Sequence, residues 1–146
     1  MSKVSYIENM EDWRSAFSFY IPIKIRFSET DMFGHVNNVS PFIYFEEARI
    51  EFLKFIGLFN NDYSGGMPIV ADLQCDYLKQ LYFNEDLKLY VKAGHIGTTS
   101  FDVHYMGVDG ENELCLTGRG RMVYIDRKTG EPVSLSDSMK SSLKAE

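Results

Sequence analysis

The sequence predicts an α+β domain in which one curved antiparallel sheet of about five strands wraps a single long helix. Three observations predict it. One segment, Ser40 to Ile56, has a helical pattern and is too apolar to lie on a surface. Four other segments alternate apolar and polar residues with the period of two that a half-buried strand shows, and a fifth reads as a long last strand. The connections between the later strands are short, which forces neighbours to run antiparallel.

Taken in order, Met10 to Phe17 reads as a short amphipathic helix. Ile21, Ile23, Ile25 and Phe27 then face one way while Lys24 and Arg26 face the other, which predicts the first strand. A polar loop runs from Ser28 to Asn38 and contains Gly34. The long helix has Ser40 as N-cap, Pro41 at its first helical position and Gly57 as its stop. Such a helix spans about 25 Å. On a helical wheel Phe42, Tyr44, Phe45, Ala48, Phe52, Leu53, Phe55 and Ile56 take about half the circumference. Glu47, Glu51 and Lys54 form the narrow polar strip. Arg49 interrupts the apolar arc, so it should meet a carboxylate, across a subunit interface.

The rest of the chain supplies the cover for that helix. Ile69, Ala71, Leu73, Cys75 and Tyr77 alternate with polar or opposite-facing residues. So do Leu87, Leu89, Val91 and Ala93, and then Phe101, Val103 and Tyr105. Val108-Asp109-Gly110-Glu111 is a hairpin turn, and a last strand runs from Leu114 to Ile125, loosened by Gly118 and Gly120. A final helix is expected at Asp137 to Leu143. The outer face of the sheet is left to pair with another subunit.

The 146 residues fit a single domain, with no repeat or linker, and such a chain buries about two-thirds of its unfolded surface. The 11 Phe, 9 Tyr and 1 Trp ask for a broad sheet surface or a buried interface. A net charge of −6 without any cluster of Lys and Arg excludes nucleic acid as a partner. No window is long and apolar enough for a membrane span, and the N-terminus has no apolar signal core, so a cytoplasmic location is expected. Cys75 and Cys115 read as buried free thiols rather than a disulfide or metal pair. His95 and His104 read as surface or interface residues, and no metal site is expected.

The stretch Arg26-Phe27-Ser28-Glu29-Thr30-Asp31-Met32-Phe33-Gly34-His35-Val36-Asn37-Asn38, continued by Tyr44-Phe45-Glu46-Glu47-Ala48-Arg49, closely resembles the hotdog-fold acyl-CoA thioesterases. Within them it is similar to the 4-hydroxybenzoyl-CoA thioesterase group. The resemblance covers about Ile21 to Pro132. It implies hydrolysis of acyl-CoA by a homodimer or homotetramer, with no cofactor beyond the coenzyme A of the substrate.

It also implies roles for named residues. Asp31 matches the loop carboxylate that acts as nucleophile or general base, and Asn38 matches the backbone N–H that polarises the thioester carbonyl at the helix start. His35 is the third catalytic candidate, with structural support of the loop as its first reading. Gly34, Asn37, Pro41 and Tyr44 are the substrate-binding candidates, Tyr44 with core packing as an equal alternative. Pro41 departs from the pattern, since many relatives carry Tyr there.

From the bare residues, Asp31 followed by Gly34 reads first as an Asx-type turn, and Asn37 and Asn38 as residues that satisfy a helix N-terminus. Two other readings of function remain. One is an acyl carrier protein in place of coenzyme A. The other is a non-catalytic acyl-CoA-binding module, which would normally carry an additional DNA-binding segment.

Overall fold

The structure is a computed structural model that describes residues 4–58 and 66–144. Its elements are α1 (Met10–Ser15), β1 (Phe19–Lys24), a 3-10 turn (Phe27–Glu29), α2 (Ser40–Phe55), β2 (Gly66–Tyr77), β3 (Asp86–Ile96), β4 (Ser100–Asp109), β5 (Leu114–Asp126) and α3 (Asp137–Lys144). The strands form one antiparallel sheet in the order β1-β3-β4-β5-β2. The sheet curves round α2, which is the hotdog arrangement.

Burial explains the curl. Phe45, Ala48 and Phe52 on α2 are fully buried against Leu89, Val91, Val103 and Tyr105 of the central strands. The Phe45 ring stacks on Tyr105 at 4.4 Å and 16°. It also lies so close to β5 that a Cβ on Gly118 would sit 2.5 Å from Phe45 Cζ. Gly118, expected from the sequence to loosen the strand, instead lets helix and sheet touch. The stop at Gly57 is a Schellman closure, with Gly57 N–H donating to Lys54 O at 3.1 Å and Leu58 N–H to Leu53 O at 2.8 Å.

Four expectations are corrected. Strand β1 ends at Lys24, and Phe27 is 74% exposed, because the chain turns back at Arg26 to meet Glu29. Ser40 is not the N-cap: Val39 holds that position, and the Ser40 hydroxyl donates to Glu29 O at 3.1 Å. Phe55 is 59% exposed, although its ring still leans on Phe19. The alternation in β2 builds no fully buried face, because β2 is an edge strand with a register shift after Val70.

Part of the outer face of the sheet is covered within the chain. The N-terminal segment lies across it, packing Val4, Ile7, Trp13 and Phe17 on Met106 and Val108. Trp13 Nε1 donates to His104 Nδ1 at 3.0 Å, and the Lys92 ammonium sits 5.7 Å above the Trp13 ring and 4.8 Å above that of Phe17. His104 is therefore half-buried under α1 rather than at the surface.

Burial, with Lys92 nearby, pushes His104 down to about 4. The unfolded chain takes up this proton near pH 6.5 and the folded chain does not until about 4, so stability falls as pH drops through that window. The loss is at most about 3 kcal/mol. His104→Gln keeps an acceptor for the indole and does not titrate. Its denaturant midpoint should stay flatter than the parent's between about pH 6.5 and 4, and parallel curves would refute the assignment.

Candidate active site

The loop between β1 and α2 is tied at both ends. Asp31 N–H donates to His35 O at 2.8 Å and Gly34 N–H to Asp31 O at 3.0 Å, a tight turn that puts Gly34 at φ +83°. Only glycine adopts that conformation without strain. The Phe33 N–H donates to Asp31 Oδ1 at 2.9 Å, so the Asx turn read from the bare residues is present. Val36 N–H donates to Leu81 O at 2.7 Å and anchors the loop to the segment after β2. The His35 ring contacts the rings of Phe33 and Tyr82.

Glu29 fastens the same loop to the helix. Its carboxylate accepts from Arg26 N–H at 2.9 Å, from the Arg26 guanidinium at 2.9 and 2.7 Å and from the Tyr44 hydroxyl at 2.8 Å. Its carbonyl accepts from Asn37 N–H at 2.8 Å as well as from Ser40. Burial pushes the Glu29 carboxyl up, but the hydrogen bonds from Arg26 and Tyr44 outweigh it and hold the group below the usual carboxylate range. Sequence reasoning missed Glu29. The signal available was the Arg26/Glu29 spacing of three across a turn, which is weak alone.

At the helix start, Asn37 Oδ1 accepts the Val39 N–H at 3.0 Å, and Asn37 O accepts the Ser40 N–H at 3.0 Å. The Asn38 carbonyl accepts the Tyr77 hydroxyl. The Asn38 N–H has no acceptor among the described residues. It is the donor left unspent where the α2 dipole is positive.

Asp31, His35, Asn38 and Pro41 line one side of a groove of about 440 Å³. Tyr77, Leu78, Lys79, Gln80 and Leu81 line the other side, with Cys115 and Leu116 also in its wall. Gly34 and Asn37 shape the loop without lining the groove. Tyr44 does not face it: the residue is 2% exposed and its hydroxyl is spent on Glu29, beneath the loop.

Tyr77, Lys79 and Cys115 are groove residues that sequence reasoning did not single out. Lys79 donates to Asp109 at 2.5 Å and Glu113 at 2.8 Å, and those bonds hold its ammonium above the usual lysine range. Burial pushes the Cys115 thiol up to about 11, so it is a neutral wall at neutral pH. Cys75 is half-buried and also a free thiol. No helix among the described residues is long and apolar enough to cross a membrane.

Residues 25–143 match the thioesterase-like superfamily. The chain belongs to that superfamily. Membership supports thioester hydrolysis as the class of reaction. Across 144 residues the chain is 43% identical to the uncharacterized protein YsmA of Bacillus subtilis (strain 168), covering 98% of this chain and 97% of that one. It is 32% identical over 127 residues to the chloroplastic acyl-acyl carrier protein thioesterase ATL3 of Arabidopsis thaliana, covering 83% of this chain and 65% of that protein. Among solved structures it is similar in fold to a thioesterase from Thermus thermophilus complexed with coenzyme A and Zn. The TM-score there is 0.74 at 24% identity, with 86% and 92% of the two chains covered.

Proposed function

We propose that this member of the thioesterase-like superfamily hydrolyses acyl-CoA to a free acid and coenzyme A at the groove lined by Asp31 and Asn38. The observation that carries the reading is a half-exposed carboxylate and an unspent helix-start N–H on one groove. The Asn38 N–H, with the α2 dipole behind it, stabilises the oxyanion as the carbonyl becomes tetrahedral, an effect commonly worth a few kcal/mol. Asp31 takes the proton of the attacking water. The carbon–sulfur bond then breaks and the thiolate leaves with its electron pair, to be protonated as coenzyme A. Asp31 as direct nucleophile gives the same products through a mixed anhydride that water hydrolyses. A thiolate is a good leaving group, so no strong acid is needed, and His35 serves to hold the loop.

The working form is a homo-oligomer in the cytoplasm. Acyl carrier protein is the alternative carrier, favoured by the likeness to ATL3. The test is thiol release from short, long and aromatic acyl-CoAs beside the matching acyl carrier protein thioesters. Turnover of the carrier protein set alone would move the reading to the alternative, and turnover of neither would overturn hydrolysis at this groove.

Pro41 tunes the acyl end. It is buried in the first turn of α2 and lines the groove. Pro41→Tyr puts a ring into that space at a helix position that does not require proline. Relative rates across the acyl panel should shift by about tenfold, since one apolar pocket contact is worth about 1–3 kcal/mol. An unchanged order of substrates would refute it.

A further inference from the structure

Asn38 carries the N–H that no acceptor takes among the described residues, and the peptide units on either side of it are held by different partners. The unit before it contains that N–H and the Asn37 carbonyl, which accepts the Ser40 N–H at 3.0 Å. Ser40 is in turn tied to the Glu29 carbonyl through its hydroxyl. The unit after it is held at both ends. Its N–H, from Val39, donates to Asn37 Oδ1 at 3.0 Å, and its carbonyl, from Asn38, accepts the Tyr77 hydroxyl. A planar peptide bonded at donor and acceptor together cannot turn without losing one of the two bonds.

The bonds made by Ser40 and Val39 stay within the loop and the helix start, whereas the Tyr77 bond arrives from across the groove, 39 positions away. Its base is rigid. Tyr77 pairs with Leu116 at the end of the ladder between β2 and β5, and the next two N–H groups, of Leu78 and Lys79, both donate to Cys115 O at 2.9 and 3.0 Å. Tyr77 is 51% exposed and lines the groove with Asp31 and Asn38. Water is able to satisfy the hydroxyl of a residue so exposed, so burial does not demand this bond. A phenol keeps its proton at neutral pH and remains a donor to the carbonyl.

We infer that Tyr77 is a positioning residue for the reaction, its hydroxyl fixing the Asn38–Val39 peptide from the β2 side so that the Asn38 N–H stays aimed into the groove. The two peptide planes at Asn38 are joined through a single Cα and two soft dihedrals, so pinning the second plane limits the swing of the first. An oxyanion donor is effective only when it is already in place where charge develops. A shift of about 1 Å in such a group is enough to cost about 100-fold in rate. This role rests on the hydrolysis proposed above, and it brings a residue from the far side of the groove to a site otherwise built from one loop.

The test is Tyr77→Phe in the full chain, which keeps the ring in the groove wall and removes the hydroxyl alone. The first readout is backbone motion by 15N relaxation, which does not depend on turnover. The order parameters of the Asn38 and Val39 N–H groups should fall from about 0.85 towards about 0.6, while those of Leu89 and Val103 in the sheet stay unchanged. The second readout is steady-state thiol release. Both kcat and kcat/KM should fall by about tenfold with KM within about twofold of the parent's, as expected for a contact that matters only in the transition state. A merely structural Tyr77 would lower Tm or raise KM instead. Unchanged order parameters at Asn38 and Val39, or a kcat within about twofold of the parent's, would overturn the positioning role. A parent that releases no thiol would overturn hydrolysis itself, and the order parameters would still decide whether Tyr77 holds the peptide.

Discussion

Replacing Asp31 by Asn should lower kcat on the best acyl-CoA by about 100-fold or more, with a melting temperature close to the parent's. The separation follows from how the loop is held. The Asx turn uses Asp31 Oδ1 as acceptor for Phe33 N–H, and an Asn side chain offers the same oxygen. The bonds from Asp31 N–H to His35 O and from Gly34 N–H to Asp31 O are backbone bonds that the change does not touch. What disappears is the charge and the basic lone pair. General-base or nucleophilic assistance is commonly worth about 10²-fold or more, equivalent to about 3 kcal/mol of barrier. Turnover within a few-fold of the parent would make Asp31 a turn residue and remove the proposed mechanism.

The second large effect is on stability. Phe45→Ala should cost about 3–5 kcal/mol, because Phe45 is fully buried and loses both its transfer energy and its stacking on Tyr105. For a chain of this size that is a fall of roughly 10–16 °C in Tm. Gly118→Ala alone should also destabilise, by about 1–3 kcal/mol, since its Cβ would meet the Phe45 ring at 2.5 Å. In the Phe45→Ala background the same Gly118→Ala change should cost far less, because the space it needs has been vacated. Denaturant melts of the four proteins give the coupling directly. Additive losses would show that the helix–sheet contact does not depend on that glycine.

One side of the groove was legible in the sequence alone. Asp31, His35, Asn38 and Pro41 lie within eleven consecutive residues and line it together. The opposite side was not legible, because Leu78 to Leu81 follow the end of β2 at Tyr77 and meet Cys115 only through the pairing of β2 with β5. Glu29 was missed for a related reason. A carboxylate in a polar loop carries no mark of burial until Tyr44, fifteen residues on, donates to it.

By itself the sequence determined the single long helix, the five strands and the stop at Gly57. Period, propensity and turn chemistry act over a few residues, so they survive any tertiary arrangement. Tertiary structure decided that β2 lies at the edge and that the N-terminal segment covers part of the outer face. It also decided that Tyr44 supports the loop from below. Trp13 meets His104 across 91 positions and Arg49 meets Tyr105 across 56. Whether a polar group at such a position is satisfied depends on which distant partner the sheet order delivers, and no local pattern encodes that.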